Sequence, residues 1–404
     1  MAILMSDTFS VFENPRAAKA TAYGAEGQAE ILGSAAFAVA KDEIASWPGY
    51  ARTPLSALTG LAYAAGIGAI FYKDEASRFG LGSFKALGGA YAVLRLLQQH
   101  IGETVTSREL ASRRYADRAA DITVTCATDG NHGRSVAWGA RTFGCVCKIY
   151  VHETVSQGRC DAIAHYGAEI RRVAGTYDDA VRQAAIDAAV EDWHVVSDTS
   201  YEGYTDIPRN VMQGYTVMVD EALEQLPDGV LPTHVFVQGG VGGLAAAVCA
   251  HLWETLGNRR PRFIVVEPDR ADCLYRSAVA GHPVAAVGDL DTIMAGLACG
   301  EVSLLAWKIL ETGADAFMTV TDDAATESMR LLAGGSMGDP PLVAGESAVA
   351  GLAGLVIAAG DPDARTRLGL SADSVVLLFG TEGATDPEVY RRIVGRSPEE
   401  VLTP

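Results

Sequence analysis

The chain has 404 residues, about half of them apolar, so it can bury the cores of two or three domains and is not a disordered polymer. Its formal net charge of -18 argues against nucleic-acid binding, which needs a basic face to displace phosphate counterions, and no run of Lys or Arg supplies one. No apolar stretch reaches the roughly 18 residues of a membrane span, and the opening "MAILMSDTFS" lacks the basic start and apolar core of a signal peptide.

Read in chain order, short β-rich runs alternate with amphipathic helices. "AIFYKDE" predicts a strand and "KALGGAYAVLRLLQQHIG" a helix with Leu94, Leu97 and Ile101 on one face. "ITVTCAT" (strand), "NHGRSVAWGARTFG" (helix), "VCKIYVH" and "EIRRVAG" (strands) follow. "TYDDAVRQAAIDAAVEDW" predicts a helix opened by Thr176, with Asp179 three residues on as a capping box. "HVVSDTS" predicts the strand that closes this series. After residue 205, "THVFVQ", "RFIVVEP", "AFMTVTD" and "SVVLLFG" predict strands, with "GLAAAVCAHLWETLG" and "SAVAGLAGLVIAAG" as helices between them.

Continuous apolar strands alternating with helices imply an α/β fold of mostly parallel sheets covered by helices. Two such series imply two domains, a large one from residues 1–89 and 206–404 and a small one from 90–205, with the active site in the cleft between them. The seven cysteines form no CxxC pair and no zinc spacing, so no metal is expected; free thiols in a cytoplasmic protein are the plainer reading.

Ligands of α/β sheets bind beyond the carboxyl ends of strands, so the loops after strands carry the argument. In "RFGLGSFKALGG", Lys85 is one of six lysines in the chain, and no carboxylate lies between Arg78 and Gly89 to pair with it. A solvated surface lysine is the ordinary expectation; a partly desolvated one has a lowered pKa and forms imines readily. In "CATDGNHGRSVAWGAR", Thr128 or Asp129 is placed to cap a helix, and the helix start suits a substrate carboxylate. His132 in the same loop reads as a packed side chain, with no role.

In "VFVQGGVGGLAAAV", Gly240, Gly242 and Ala245 match a dinucleotide-binding spacing, and Glu267 ends the next strand where a ribose-binding acid would sit. The physics requires only that glycine amides at a helix start cradle some phosphate. A tight structural turn remains open. In "LLFGTEGATD", Thr381 offers a neutral hydroxyl suited to a ring nitrogen, or marks a plain turn.

An amine, an Asn-bearing helix start, a glycine cradle and a hydroxyl after the last strand, in that order, resemble the fold-type II pyridoxal-phosphate enzymes. Within that group the closer resemblance is to the diaminopropionate ammonia-lyases, carried by "SRFGLGSFKALGGAYA", "ATDGNHGRSVAWGA", "DTSYEGYTDIPRNVMQGY", "TIMAGLACGE" and "LLFGTEGATDP" across roughly residues 70 to 390.

The resemblance implies that pyridoxal 5'-phosphate is held by Lys85 as a Schiff base in the large domain. Phe84 would pack on its ring and Asn131 would bond its phenolic oxygen. Gly239, Gly240, Val241, Gly242 and Gly243 would supply phosphate-binding amides, with Thr381 at the pyridine nitrogen. Thr128, Asp129 and Gly130 would bind substrate. The catalytic residues would be Lys85, Asp129 and Asp198.

A hydroxyl partner leaves the ring nitrogen largely unprotonated, which favours elimination. Asp129 is the discriminating residue, since related dehydratases place a small hydroxyl residue there. Burial beside a second carboxylate would raise its pKa and let it hold a proton near neutrality.

The reaction implied is β-elimination of 2,3-diaminopropionate to pyruvate and ammonia in amino-acid catabolism. Lys85 and Asp129 would be bases on opposite faces, so both D- and L-isomers would react. The resemblance also implies a homodimer acting on a small-molecule substrate. Gly82, the extra glycine in "QGGVGG" and Gly380 depart from the family pattern, and Cys273 and Cys299 lie beside family segments where a pairing is left open. A serine- or threonine-type dehydratase is the alternative reading, and an NAD-linked oxidoreductase, resting on the Gly240 loop alone, is a further one.

Overall fold

The computed structural model describes residues 8–18, 21–102, 104–336 and 338–403; the first seven residues, on which the leader reading mostly rests, and Lys19 lie outside them. The strands are β1 Ser10–Glu13, β2 Leu55–Ala57, β3 Ala69–Asp74, β4 Thr123–Ala127, β5 Val146–His152, β6 Glu169–Val173, β7 His194–Val195, β8 His234–Gln238, β9 Arg262–Pro268, β10 Ala316–Val320 and β11 Val375–Gly380. The helices that matter for the site are α1 Lys85–Ile101, α2 Asn131–Phe143, α3 Tyr177–Glu191, α4 Asp206–Gln225, α5 Gly243–Leu256, α6 Cys273–Ala280 and α7 Ala350–Gly360. No helix among the described residues is long and apolar enough to cross a membrane.

The chain forms two compact units. One takes the described residues up to Gly33, Arg52–Ser77 and those from Met218 onward; the other takes Ser34–Ala51 and Arg78–Val217. These units break at 77/78 and 217/218 rather than at 89/90 and 205/206. The reason is local packing: an added Cβ on Gly139 of α2 would sit 2.8 Å from Ala90 Cα of α1, and one on Gly89 would overlap Ser135 Oγ. The glycine turn and α1 therefore stay with α2.

The first unit holds a seven-stranded sheet in the order β1-β10-β9-β8-β11-β3-β2. Its interior is parallel, for example His234 beside Arg262 and Val375 beside Ala69, while β1 and β2 run antiparallel at the edges. Both edge strands are too short to register in the apolar pattern. Strand β8 is buried at every position and α7 is buried from Ala350 to Ala358, so the sheet is covered where its strands are apolar throughout. Burying each such Val or Leu contributes roughly 1.5–3 kcal/mol.

The second unit holds a four-stranded, all-parallel sheet in the order β6-β5-β4-β7. Thr176 caps α3 as expected, with both arms of the Thr176–Asp179 box present. Helix α1 differs from its expected single apolar face: it is buried nearly all round, from Ala86 to Leu94 and at Leu96, Leu97, Gln98 and Ile101. Strand β7 is only two residues long. The remaining residues of "HVVSDTS" form a loop held by side chains: Tyr204 Oη accepts from Ser197 N at 3.0 Å and donates to Val195 O at 2.8 Å.

Each sheet reverses its strand order once. In the first, β9 and β10 extend to one side of β8 and β11 lies on the other; in the second, β5 and β6 extend to one side of β4 and β7 lies on the other. The loops that part at such a point leave a natural ligand site. They are the loops after β8 and β11 in one unit and after β4 and β7 in the other, which contain the residues singled out above.

Candidate active site

In the second unit, Lys85 opens α1 and its Nζ donates to Asp198 Oδ2 at 2.5 Å. The local sequence holds no carboxylate, so the lysine reads there as unpartnered; the fold corrects this by bringing in a residue 113 positions away. Burial works to raise the Asp198 pKa, but the Lys85 ammonium and then His132 outweigh it and hold the carboxyl well below its ordinary range. Lys85 Nζ also lies 5.4 Å from the Phe84 ring centroid and 5.9 Å from that of Tyr215.

His132, given no role from sequence, is part of this group. Its Nε2 lies 2.7 Å from Val196 O, which fixes the proton on that nitrogen, and its Nδ1 lies 3.9 Å from Asp198 Oδ2. Burial lowers the His132 pKa, against the pull of Asp198, so the ring is neutral. It locks the backbone just before Asp198 and flanks the carboxylate.

The helix cap of α2 is Thr128, whose Oγ1 accepts from Gly130 N and Gly133 N, each at 3.0 Å. That leaves Asp129 available, but not in the setting expected for it. Its side chain is 35% exposed, and Oδ1 is bonded to His152 Nε2 at 2.7 Å, with Thr154 Oγ1 2.9 Å from His152 Nδ1 behind it. The carboxylate is partnered by a histidine rather than buried against another acid. Sequence reading missed His152 because it ends a different strand, β5. Asn131 opens α2 and its Oδ1 accepts from Arg134 Nη2 at 2.7 Å.

In the first unit, the loop after β8 runs into α5, with Gly240 (φ 62°) and Gly242 (φ 96°) in the left-handed region that favours glycine. Of its five amides, Gly239 N donates to Val266 O at 2.9 Å and Gly242 N to Gly239 O at 3.2 Å. The amides of Gly240, Val241 and Gly243 have no acceptor among the described residues, and they sit at the start of a fourteen-residue helix. Three donors at a helix N-terminus suit a phosphate. After β11, Thr381 is buried, and its Oγ1 accepts from Gln238 Nε2 at 3.0 Å. Gln238 Nε2 also reaches Ala348 O and Phe379 O, which orients the amide. The hydroxyl hydrogen of Thr381 is thereby left to donate elsewhere.

Glu267 does not sit free for a ribose. It is fully buried, and its carboxyl accepts from Leu274 N at 3.0 Å and Tyr275 N at 2.7 Å in the first turn of α6. Burial pushes its pKa up to about 8 in spite of those bonds. An added Cβ on Gly239 would lie 2.6 Å from Glu267 Cγ, so the acid braces the glycine loop instead of presenting itself to a nucleotide. Cys273 and Cys299 are both free thiols; Cys273 Sγ lies 3.5 Å from Gly240 O, and an added Cβ on Gly240 would be 3.8 Å from Cys299 Sγ.

The arrangement in each unit matches what the comparisons with known proteins find. Residues 46–380 match the family model for pyridoxal-phosphate dependent enzymes. The chain is 44% identical, over 86% of its own length and 88% of the relative's, to diaminopropionate ammonia-lyase of Escherichia coli K12. The Escherichia coli diaminopropionate ammonia-lyase solved with an aminoacrylate-PLP azomethine reaction intermediate is 39% identical, covers 98% of this chain and 99% of that one, and superposes with a TM-score of 0.86. The same enzyme solved with D-serine is 38% identical, covers 96% and 97%, and superposes with a TM-score of 0.87. Together with the paired lysine, the helix-start amides and the hydroxyl after the last strand, these matches show that the chain belongs to the diaminopropionate ammonia-lyases, within the pyridoxal-phosphate-dependent enzymes.

Proposed function

We infer that the chain catalyses the α,β-elimination of 2,3-diaminopropionate to pyruvate and ammonia with pyridoxal 5'-phosphate, and that it accepts both the D- and the L-isomer. The observation that carries this reading is the β4/β7 strand end, where Lys85 is ion-paired to Asp198 while Asp129, relieved of capping by Thr128, is bonded to His152.

The residues fit the cofactor. Lys85 Nζ suits an aldehyde, the amides of Gly240, Val241 and Gly243 suit a phosphate, and the Thr381 hydroxyl suits a neutral ring nitrogen. Phe84 offers a ring face and Asn131 an amide. When bound, pyridoxal phosphate supplies an electron sink for the charge that develops at the substrate Cα. Gly239 and Gly242 shape the cradle through their own backbone bonds.

Lys85 Nζ takes the Cα proton of one isomer, and Asp198 Oδ2 holds the ammonium that results. Asp129 takes the Cα proton of the other isomer on the opposite face. The β-amine is a poor leaving group and departs protonated, so the Asp129–His152–Thr154 chain gives the second carboxylate a route for proton exchange. Thr128 and Gly130 fix the start of α2, where the substrate carboxylate is oriented. The structure of the Escherichia coli relative with D-serine supports a site that admits the D configuration. The reading includes a cytoplasmic homodimer, checked by sedimentation.

Pyruvate release from D- and L-diaminopropionate, serine and threonine, measured side by side, tests the assignment. Diaminopropionate is expected to turn over fastest. Faster release from serine or threonine would replace the reading with a dehydratase.

A further inference from the structure

Tyr215 sits on α4 in the second unit, and two glycines bring it to the lysine turn. An added Cβ on Gly214 would overlap Leu87 O of α1, and one on Gly88 would overlap the Tyr215 ring itself. Backbone contact between α1 and α4 thus makes the space that the ring fills. The ring lies against Phe84 with centroids 4.6 Å apart, and Lys85 Nζ is 5.9 Å from its centroid.

Tyr215 is 1% exposed, and its hydroxyl is buried with no hydrogen-bond partner among the described residues. Buried tyrosine hydroxyls ordinarily have a partner, because an unsatisfied one loses its hydration without return. The charged and titratable groups around the lysine turn are Lys85 on α1, Asp198 on the loop after β7, and His132 on α2, which is neutral. Burial and Asp198 keep the phenol protonated against the pull of Lys85.

The phenol hydrogen needs an acceptor. An ammonium offers none, since all three of its hydrogens are donors; a neutral amine offers one lone pair and can still donate to Asp198. The ion-paired lysine therefore leaves the phenol unsatisfied, while the neutral lysine satisfies both Tyr215 and Asp198. We propose that Tyr215 is a further positioning residue of the site, whose phenol donates to the neutral Lys85 amine and so favours its uncharged, reactive form against Asp198.

This rests on Lys85 as the cofactor-bearing amine. The test compares wild type with Tyr215→Phe, which keeps the ring and its packing, as full-length chains freed of pyridoxal phosphate. Competitive acetylation across pH, quantified on the Lys85 peptide by mass spectrometry, reads the amine directly. The midpoint is expected to rise by about one pH unit in Tyr215→Phe, which is about a tenfold loss of reactivity at a fixed pH below it. The pH dependence of imine absorbance on adding pyridoxal phosphate is expected to shift in parallel. An unchanged midpoint, or one that falls, would overturn the proposal. Failure of wild type to form a borohydride-reducible adduct at Lys85 would instead overturn the underlying assignment of that lysine, and the acetylation profile distinguishes the two cases.

Discussion

Two carboxylates near strand ends, one in each unit, are driven in opposite directions. Asp198, beyond β7, faces the Lys85 ammonium and is held ionised well below its ordinary pKa. Glu267, in β9, faces only two backbone amides and a thiol, and burial lifts it to about 8. The first region is charged and poised for proton transfer; the second is a neutral brace behind a loop of amide donors. A full charge opposite a buried acid outweighs desolvation, and a pair of amide dipoles does not. The catalytic strand end is thus kept reactive, while the phosphate-cradle strand end is kept rigid and free of competing negative charge.

Lys85→Ala removes the amine on which the charged region is built, and has the largest expected effect. Imine absorbance disappears and pyruvate release falls by more than about 10⁴-fold; an intact imine band would assign the anchor to another lysine. Asp129→Asn comes next. Pyruvate release from the D-isomer is expected to drop by about 10²-fold or more, and that from the L-isomer far less; equal losses on both would refute the assignment of bases to opposite faces.

Smaller effects belong to the neutral region. Thr381→Val removes one hydroxyl and is expected to weaken cofactor binding by about fivefold to tenfold, the equivalent of one hydrogen bond, read by fluorescence titration. A larger loss would mean that the hydroxyl does more than contact the ring nitrogen.

The two carboxylates also predict opposite pH slopes of stability. For Asp198 the folded pKa lies below the unfolded one, so its contribution is complete above about pH 4 and is lost as the pH falls toward the folded value. For Glu267 the folded pKa lies above the unfolded one, so its contribution is complete below about pH 4 and is lost as the pH rises toward about 8. Melting temperatures of Glu267→Gln and wild type, compared from pH 5 to pH 8, are expected to differ progressively, with only wild type losing this increment. For Asp198→Asn the corresponding divergence appears below pH 4. The same slope in both variants would remove the distinction between the regions.

Much of this was legible in the sequence. The parallel strands, the glycine turn before α1, the Asn-bearing start of α2 and the glycine loop before α5 are written locally, because strand–helix connections depend on residues a few positions apart. Short β1 and β2 escaped because three or four residues carry no apolar period. Asp198 was named only through family resemblance, and its partner was not foreseen. His132 was read as packing and is that, but it also flanks Asp198. Glu267 matched a ribose-binding spacing, yet the start of α6 folds onto its carboxyl.

The sequence by itself determined the fold class, the lysine that anchors the cofactor and the loop suited to its phosphate, since each depends on backbone conformation set within a short segment. Only the tertiary structure decided the electrostatics: which carboxylate pairs with Lys85, which histidine stands behind Asp129, and which phenol is left beside the amine. Those depend on burial and on side chains far apart in the chain, and no local pattern encodes the dielectric or the distance that sets a proton's place.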